Sequence, residues 1–368
     1  MFSLFSLNRR YFRYVDLVSL SIIFLISCIG LAFVFSTTYS TTQPFSIFFK
    51  KQAGGLIIGF FIYFFFSITD YRILLRFGYF FYFCTLLFLL ITLIKGSIGM
   101  GAQRWIDLFF FKFQPSECVK LFFPAFFVNY LLDYTSSFWK QQFFSIIFLL
   151  IITFVLILKQ PDLGTALIIL LSGLLLCWFA GLSHRFFVIL FLTGCILSPI
   201  MWQLLHSYQK QRIAVFLGYG ASHKERYQIE QSIIAVGSGG LTGKGFCKGT
   251  QNNLLFLPES RTDFIFSALG EEWGFLGCFF LIFLYCTLFF RIFYLCFLLN
   301  NINSSLLAIG LVLPSLLACI INCSMVIGLL PTVGIPLPLM SYGITNLWIT
   351  FASFGWIQSI CIRRSYIG

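Results

Sequence analysis

Long apolar segments constrain this chain more than any other feature of its sequence. Each runs for roughly 17 to 25 residues, the length that an α-helix needs to cross a hydrocarbon core of about 30 Å. Of the 368 residues, 59% are hydrophobic and only 10% are charged, so the chain cannot cover itself with a water-soluble surface. A membrane barrel would show shorter segments of alternating polarity instead. The sequence therefore predicts an all-α polytopic integral membrane protein.

We place about ten transmembrane helices in a single domain that covers residues 1–368. An even number of spans returns both termini to one side, and the Lys and Arg residues of the short connections place that side in the cytoplasm. Residues 206–263 then form one long, basic extracytoplasmic loop, which should attract an anionic partner or substrate. The predicted spans are 16–35, 53–69, 77–95, 115–132, 143–158, 164–181, 186–205, 264–290, 306–329 and 344–361.

A polar cluster follows the third span, where Arg104 precedes a predicted helix start at Pro115. Proline suits the first turn of a helix because it needs no N–H partner there. Glu117 and Lys120 are three residues apart in that helix and therefore share a face. A lysine inside a span is costly unless it is paired or hydrated. The two side chains therefore form a structural ion pair or face a substrate, and the sequence leaves both readings open.

Three other segments interrupt the apolar pattern. In KQPDLGTA, a proline after a helix end and an aspartate at the next helix start favour a capping role for Asp162. Glycines between Gly237 and Gly249 form a flexible strip of N–H donors that could wrap a pyrophosphate, although glycines in a loop more often simply form turns. The proline-rich run 329–343 cannot stay helical, so it is predicted to dip into the bundle near the outer face.

The four polar regions together resemble one family, the SEDS proteins (shape, elongation, division and sporulation), and its RodA branch more than its FtsW branch. The motifs that carry the resemblance are GAQRWI with QPSECVK, QPDLGTA, GSGGLTGKG leading into PESRTDFIFSALGEEWGFLG, and GLLPTVGIPLPLMSYG. Two segments depart from the family pattern. GYGASHKERYQ replaces an acidic, proline-bearing stretch, and Ile344 stands where a second glycine usually follows Gly343.

The resemblance implies a peptidoglycan glycosyltransferase that polymerises lipid II at the outer face of the cytoplasmic membrane, together with a class B penicillin-binding protein. It also implies that Asp263, in the T-D-F-I-F motif, is the catalytic carboxylate. A general base there could take the proton of the attacking hydroxyl, and cations could balance the leaving pyrophosphate. Capping of the eighth span is the alternative role for Asp263. Candidate substrate-binding residues are Arg104, Glu117 (orienting Lys120), Lys120, Arg212, Lys244, Lys248, Glu259 and Arg261, with Glu259 and Glu271 as further acid, base or metal candidates.

Other partners and functions follow from the same residues. The scattered cysteines and histidines predict no structural metal, while several carboxylates near a pyrophosphate make a magnesium or manganese ion plausible. Lipid II, the transpeptidase and membrane lipid are the expected partners, and no nucleic acid is expected. A lipid flippase or other transporter and a non-enzymatic scaffold of the elongation or division machinery are the alternative functions.

Overall fold

The computed structural model describes residues 15–40, 44–99, 102–108, 111–132, 139–204, 207–219, 223–254, 256–257 and 259–364. Helices dominate it, as the sequence predicts. They are α1 (Leu17–Thr38), α2 (Ile47–Ile68), α3 (Tyr71–Arg76), α4 (Gly78–Lys95), α5 (Pro115–Leu132), α6 (Trp139–Lys159), α7 (Leu163–Phe179), α8 (His184–Leu204), α9 (Ser207–Phe216), α10 (His223–Ser238), α11 (Thr250–Asn253), α12 (Ile265–Phe297), α13 (Ile302–Val326) and α14 (Ile344–Arg363).

Each predicted span coincides with one helix, namely α1, α2, α4, α5, α6, α7, α8, α12, α13 or α14. Among the described residues, α1, α2, α4, α12 and α13 are both long and apolar enough to cross a membrane. Large apolar side chains point outward from the bundle, and Phe61, Phe144 and Phe290 each expose more than two thirds of their surface. A hydrocarbon environment can cover such a surface, whereas water cannot do so favourably. The number of ten spans and the cytoplasmic termini stay predictions.

A small antiparallel sheet departs from the all-α prediction. Strands β1 (Ser97–Gly99), β2 (Ala102–Leu108) and β3 (Phe111–Phe113) lie in the order β1-β2-β3. Trp105 stands opposite Ser97, and Asp107 stands opposite Lys112. The isoleucines and aromatic residues of this connection favour strands over a coil. The sheet matters for the site because β2 carries Arg104.

Residues 206–263 are also more ordered than the polar loop that the sequence predicts, because α9, α10 and α11 lie within them. Helix α10 packs against α12 and α13 through small buried side chains. The Ser232 hydroxyl lies 2.9 Å from the Ser267 hydroxyl and donates to the Val326 carbonyl at 2.8 Å. The prediction failed because α10 is polar on most of its surface, so its short buried face gave no strong period.

The glycine strip is held by hydrogen bonds and is not the free anion-binding loop that the sequence suggests. Helix α12 is interrupted at Gly274, which has φ 65°. Beyond that interruption, the N–H groups of Phe275 and Leu276 donate to the carbonyls of residues 240 and 241. In return, the N–H groups of residues 244 and 245 donate to the carbonyls of Glu271 and Glu272. The strip therefore supplies the backbone partners that the broken helix lacks.

The proline-rich run enters the bundle, as predicted. Between α13 and α14 the chain is not helical, and Ile335, Leu337 and Met340 are almost completely buried. A side-chain carbon at Gly30 would lie 2.6 Å from the Met340 Cα, so α1 needs a glycine at this point of contact. A carbon at Gly164 would similarly approach the Val333 carbonyl to 2.8 Å. The run is therefore packed between α1 and the start of α7, where protein surrounds its backbone.

Gly274→Ala should destabilise the protein. A Cβ at this position would lie 2.3 Å from the Gly243 nitrogen, and the residue's φ of 65° disfavours any side chain. We expect a loss of about 1–3 kcal/mol, seen as a lower midpoint of thermal unfolding in detergent. Gly54→Ala is the matched control, because a Cβ there meets nothing within 4 Å. Equal midpoints for the two variants would contradict a tight contact at the kink.

Candidate active site

Three successive backbone carbonyls fix the segment that carries Asp263. The Arg261 carbonyl accepts from the Tyr342 N–H at 2.9 Å, and the Thr262 carbonyl accepts from the Ser341 hydroxyl at 2.6 Å. The Asp263 carbonyl accepts from the side-chain amide of Asn322 at 2.8 Å. Non-helical backbone needs such partners wherever it is shielded from water. We call these three bonds the carbonyl clamp.

The carboxylate of Asp263 lies free of the bonds that hold its backbone. Helix α12 begins after Phe264 without a side-chain cap, so the capping alternative for Asp263 is wrong. Within the described part of the chain, the carboxylate accepts no hydrogen bond and forms no ion pair. It faces Gly334 (φ 72°), where a Cβ would lie 3.4 Å from Asp263 Oδ2 and 3.7 Å from Arg212 Nη1. Asp263 and Arg212 therefore both lie beside position 334, where the positive φ favours glycine.

Burial and neighbouring charges set the pKa of the Asp263 carboxyl group. The pKa of Asp263 is raised to about 6, chiefly by burial and then by the negative charge of Glu259. The positive charges of Arg212 and Arg104 oppose this rise, and Asp162 adds a smaller upward contribution to the pKa. A carboxyl with a pKa near neutrality can both accept and release a proton, which suits acid–base catalysis.

Arg104 is directed towards this site by a turn of the chain. Its guanidinium donates to the carbonyls of Gln160 and Pro161, and Nη1 lies 3.6 Å from Asp162 Oδ1. Asp162 itself accepts from the Thr165 N–H at the start of α7 and from the side-chain amide of Gln114. The predicted cap at Asp162 is thus confirmed, and the same carboxylate also anchors Arg104.

The other candidate residues near Asp263 in the segment 206–263 are each held by a separate contact. Arg212 donates through Nη1 to the Thr332 carbonyl at 2.9 Å. The Arg261 guanidinium lies 3.8 Å above the ring of Phe48, an arrangement that favours a cation. Glu259 accepts from the Thr262 hydroxyl at 3.1 Å. The structure therefore groups Asp263 with Glu259, Arg212, Arg104 and Asp162.

Lys244 and Lys248 belong to another place in the fold. Lys244 donates to Glu271 at 2.7 Å, about two helical turns after Asp263 along α12. Glu271 also accepts from the N–H groups of Thr250 and Gln251, so its oxygens are occupied. Lys248 is exposed beside the same strip. These contacts identify Glu271 and Lys244 as parts of the α12 kink, and they support neither as a substrate contact.

Glu117 and Lys120 form the buried ion pair that the sequence left as one of two readings. Lys120 Nζ lies 2.8 and 2.9 Å from the two oxygens of Glu117, and the Asn346 side chain donates to Glu117 at 2.9 Å. Both charged side chains expose less than a tenth of their surface. The pair joins α5 to the start of α14, and among the described residues it does not contact Asp263.

Sequence reasoning missed Asn322, Ser341 and Gly334 as parts of the site. Asn322 could have been found from the sequence as an amide side chain within the apolar run of α13, because an unpaired amide is costly in such a segment. Gly101 and Pro258, which belong to two of the motifs, lie outside the described residues. No group of three His, Cys, Asp or Glu side chains suited to a metal occurs in the described ranges.

A family model for the FtsW/RodA/SpoVE group, described as cell cycle proteins, matches residues 15–366. The chain belongs to this family. The match confirms the SEDS resemblance of its motifs. The helical architecture agrees with this membership. The chain is a multi-pass membrane protein.

Curated members of the FtsW/RodA/SpoVE family are similar over most of the chain. The peptidoglycan glycosyltransferase MrdB of Escherichia coli K12 is 39% identical over 279 residues, covering 74% of each chain. MrdB of Helicobacter pylori is 34% identical over 370 residues, covering 99% of this chain and 94% of the relative.

Solved structures share the fold. One, described as structural coordination of polymerization and crosslinking by a peptidoglycan synthase complex, matches with a TM-score of 0.82 at 25% identity. The match covers 95% of this chain and 98% of that chain. The rod shape determining protein RodA of Thermus thermophilus matches with a TM-score of 0.71 at 23% identity. It covers 95% and 97% of the two chains and shows the fold alone.

Lys120→Met should destabilise the protein, because it leaves the buried Glu117 carboxylate without its cation. We expect a loss of about 3–5 kcal/mol, and the double variant Glu117→Gln/Lys120→Met should recover most of it. Thermal unfolding in detergent provides the measurement. Arg226→Met is the control, since the Arg226–Glu230 pair is exposed and should contribute little. A double variant with parental stability but no activity would favour the substrate-facing reading of the pair.

Proposed function

We propose that this protein is a peptidoglycan glycosyltransferase that polymerises lipid II at the outer face of the cytoplasmic membrane. Membership in the FtsW/RodA/SpoVE family and the activity named for the MrdB relatives support the reaction class. One observation carries the assignment to a site. Among the described residues the Asp263 carboxylate has no hydrogen-bond partner, its pKa is about 6, and it lies beside Gly334 together with Arg212.

In this proposal Asp263 acts as the general base. It accepts the proton of an acceptor-sugar hydroxyl as the hydroxyl oxygen bonds to the anomeric carbon of the lipid-linked donor. The bond between that carbon and the pyrophosphate oxygen breaks, and the pyrophosphate leaves with the electron pair. A carboxylate that is already hydrogen-bonded would be a weaker base, so the lack of partners for Asp263 among the described residues suits this step.

Arg212 is the proposed contact for the leaving pyrophosphate. Arg212 Nη1 and Asp263 Oδ2 both lie within 4 Å of the point where a Cβ on Gly334 would stand, so the base and the cation border one space. A cation fixed in this way stabilises negative charge as it develops, without reorganising during the reaction. Arg104, whose side chain is one quarter exposed, supplies a second positive charge that reaches Asp263. Arg261, stacked on Phe48, is a third cation of the same segment.

The partner and the location are part of the proposal. A class B penicillin-binding protein would supply the crosslinking step, in keeping with the synthase complex whose chain this fold matches. We infer that the site lies at the outer edge of the inner membrane, which the basic segment 206–263 and a lipid-linked substrate support. Glycan strands made there would serve cell-wall elongation and cell shape.

Asp263→Ala and Asp263→Asn should abolish polymerisation of labelled lipid II by the purified protein with its class B penicillin-binding protein. Loss of the base should lower kcat by about 100-fold or more. Asp107→Asn, an exposed aspartate on β2, should polymerise like the parent. Moenomycin excludes contaminating classical glycosyltransferases.

Each other outcome of this assay has a defined meaning. Glycan ladders from both the parent and Asp263→Asn would favour a scaffold or another base. An inactive parent that moves lipid II across vesicle membranes would favour the flippase instead.

Polymerisation should also decline as the pH falls through about 6, because protonation removes the base. Arg212→Met removes a charge that lowers the pKa of Asp263, so the acid limb of the pH–activity profile should move to higher pH. Glu259→Gln removes a charge that raises this pKa, so the limb should move to lower pH. We expect shifts of about half a pH unit or more. Arg226→Met should leave the midpoint unchanged, and unchanged midpoints in all three variants would rule out Asp263 as the titrating group.

A further inference from the structure

The clamp on the Asp263 segment suggests a role for residues outside the reacting groups. Asn322 lies on α13, fully buried, and its side-chain nitrogen donates to the Asp263 carbonyl at 2.8 Å and to the Ile335 carbonyl at 2.7 Å. One amide thus ties the start of α12 to the proline-rich run. Its orientation is determined, because an amide oxygen pointed at two carbonyls would be repelled.

Ser341 makes the equivalent connection one residue earlier. Its hydroxyl donates to the Thr262 carbonyl at 2.6 Å and accepts from the Leu337 N–H at 2.8 Å. Like Asn322, it joins the Asp263 segment to the proline-rich run that contains Gly334. The run also bears the Thr332 carbonyl to which Arg212 is bound. Acid and cation are therefore attached to one common piece of backbone.

We propose that Asn322 and Ser341 are positioning residues, which set the distance from the Asp263 carboxylate to Arg212 across Gly334 by holding the carbonyls of residues 262 and 263. The inference rests on the proposed function. Because the Asp263 carboxylate has no hydrogen-bond partner of its own among the described residues, only its backbone and rotamer determine where it lies. Loss of a backbone anchor therefore displaces the base directly.

Asn322→Leu, which is similar in volume and has no donor, and Ser341→Ala test this role. A displacement of about 1 Å can cost up to 100-fold in rate, so kcat for lipid II polymerisation should fall by about 10- to 100-fold. KM should stay within about twofold, because neither residue faces the substrate. Ser304→Ala is the matched control. It removes a buried hydrogen bond of α13, to the Tyr71 hydroxyl, but lies at the other end of the helix.

The measurements separate this inference from the function on which it rests. An inactive parent would refute the proposed function itself. An active parent with kcat unchanged in Ser341→Ala and in Asn322→Leu would overturn the positioning role. A fall in kcat matched by Ser304→Ala, or a rise in KM without a fall in kcat, would also overturn it. If Asn322→Leu does not fold, the kcat and KM of Ser341→Ala decide the question.

Discussion

The carbonyl clamp is the interaction on which the site depends. A backbone that leaves helical geometry beside an apolar bundle must find hydrogen-bond partners inside the protein. The segment before α12 finds them in Asn322, Ser341 and the Tyr342 N–H. These donors come from a helix and from a proline-rich run that itself cannot be helical. The two irregular segments therefore supply hydrogen-bond partners for each other, and their contact places Asp263 next to Gly334.

Charge pairing distinguishes Asp263 from three other acidic residues, Asp162, Glu117 and Glu271. Asp162 is held by Arg104, Glu117 by Lys120, and Glu271 by Lys244. Each of these carboxylates has a cation and further donors, which offset the cost of burial. Among the described residues Asp263 has only more distant charges around it, and its pKa is raised to about 6, chiefly by burial. The ion pairs stabilise the architecture, while the Asp263 carboxylate, which forms no ion pair within the described ranges, remains available to accept a proton.

Much of the helical architecture could be predicted because its signals are local. Apolar runs matched ten helices, Pro115 marked the start of α5, and the prolines between α13 and α14 marked a buried irregular run. The sheet at residues 97–113 and the helices within 206–263 were missed, since short elements with polar surfaces lack a clear period. Lys244 and Lys248 were candidate substrate contacts and Glu271 was an acid, base or metal candidate, whereas contacts at the α12 kink explain Lys244 and Glu271.

The sequence by itself determined the membrane class, the family through its long motifs, and Asp263 as the residue of interest. Only the tertiary structure decided which charges act on Asp263 and which donors hold it. Asn322 is 59 residues from Asp263 in the chain, and Ser341 is 79 residues from Thr262. Hydropathy and spacing describe neighbours along the chain, whereas a catalytic geometry is set by partners that only folding brings within hydrogen-bond distance.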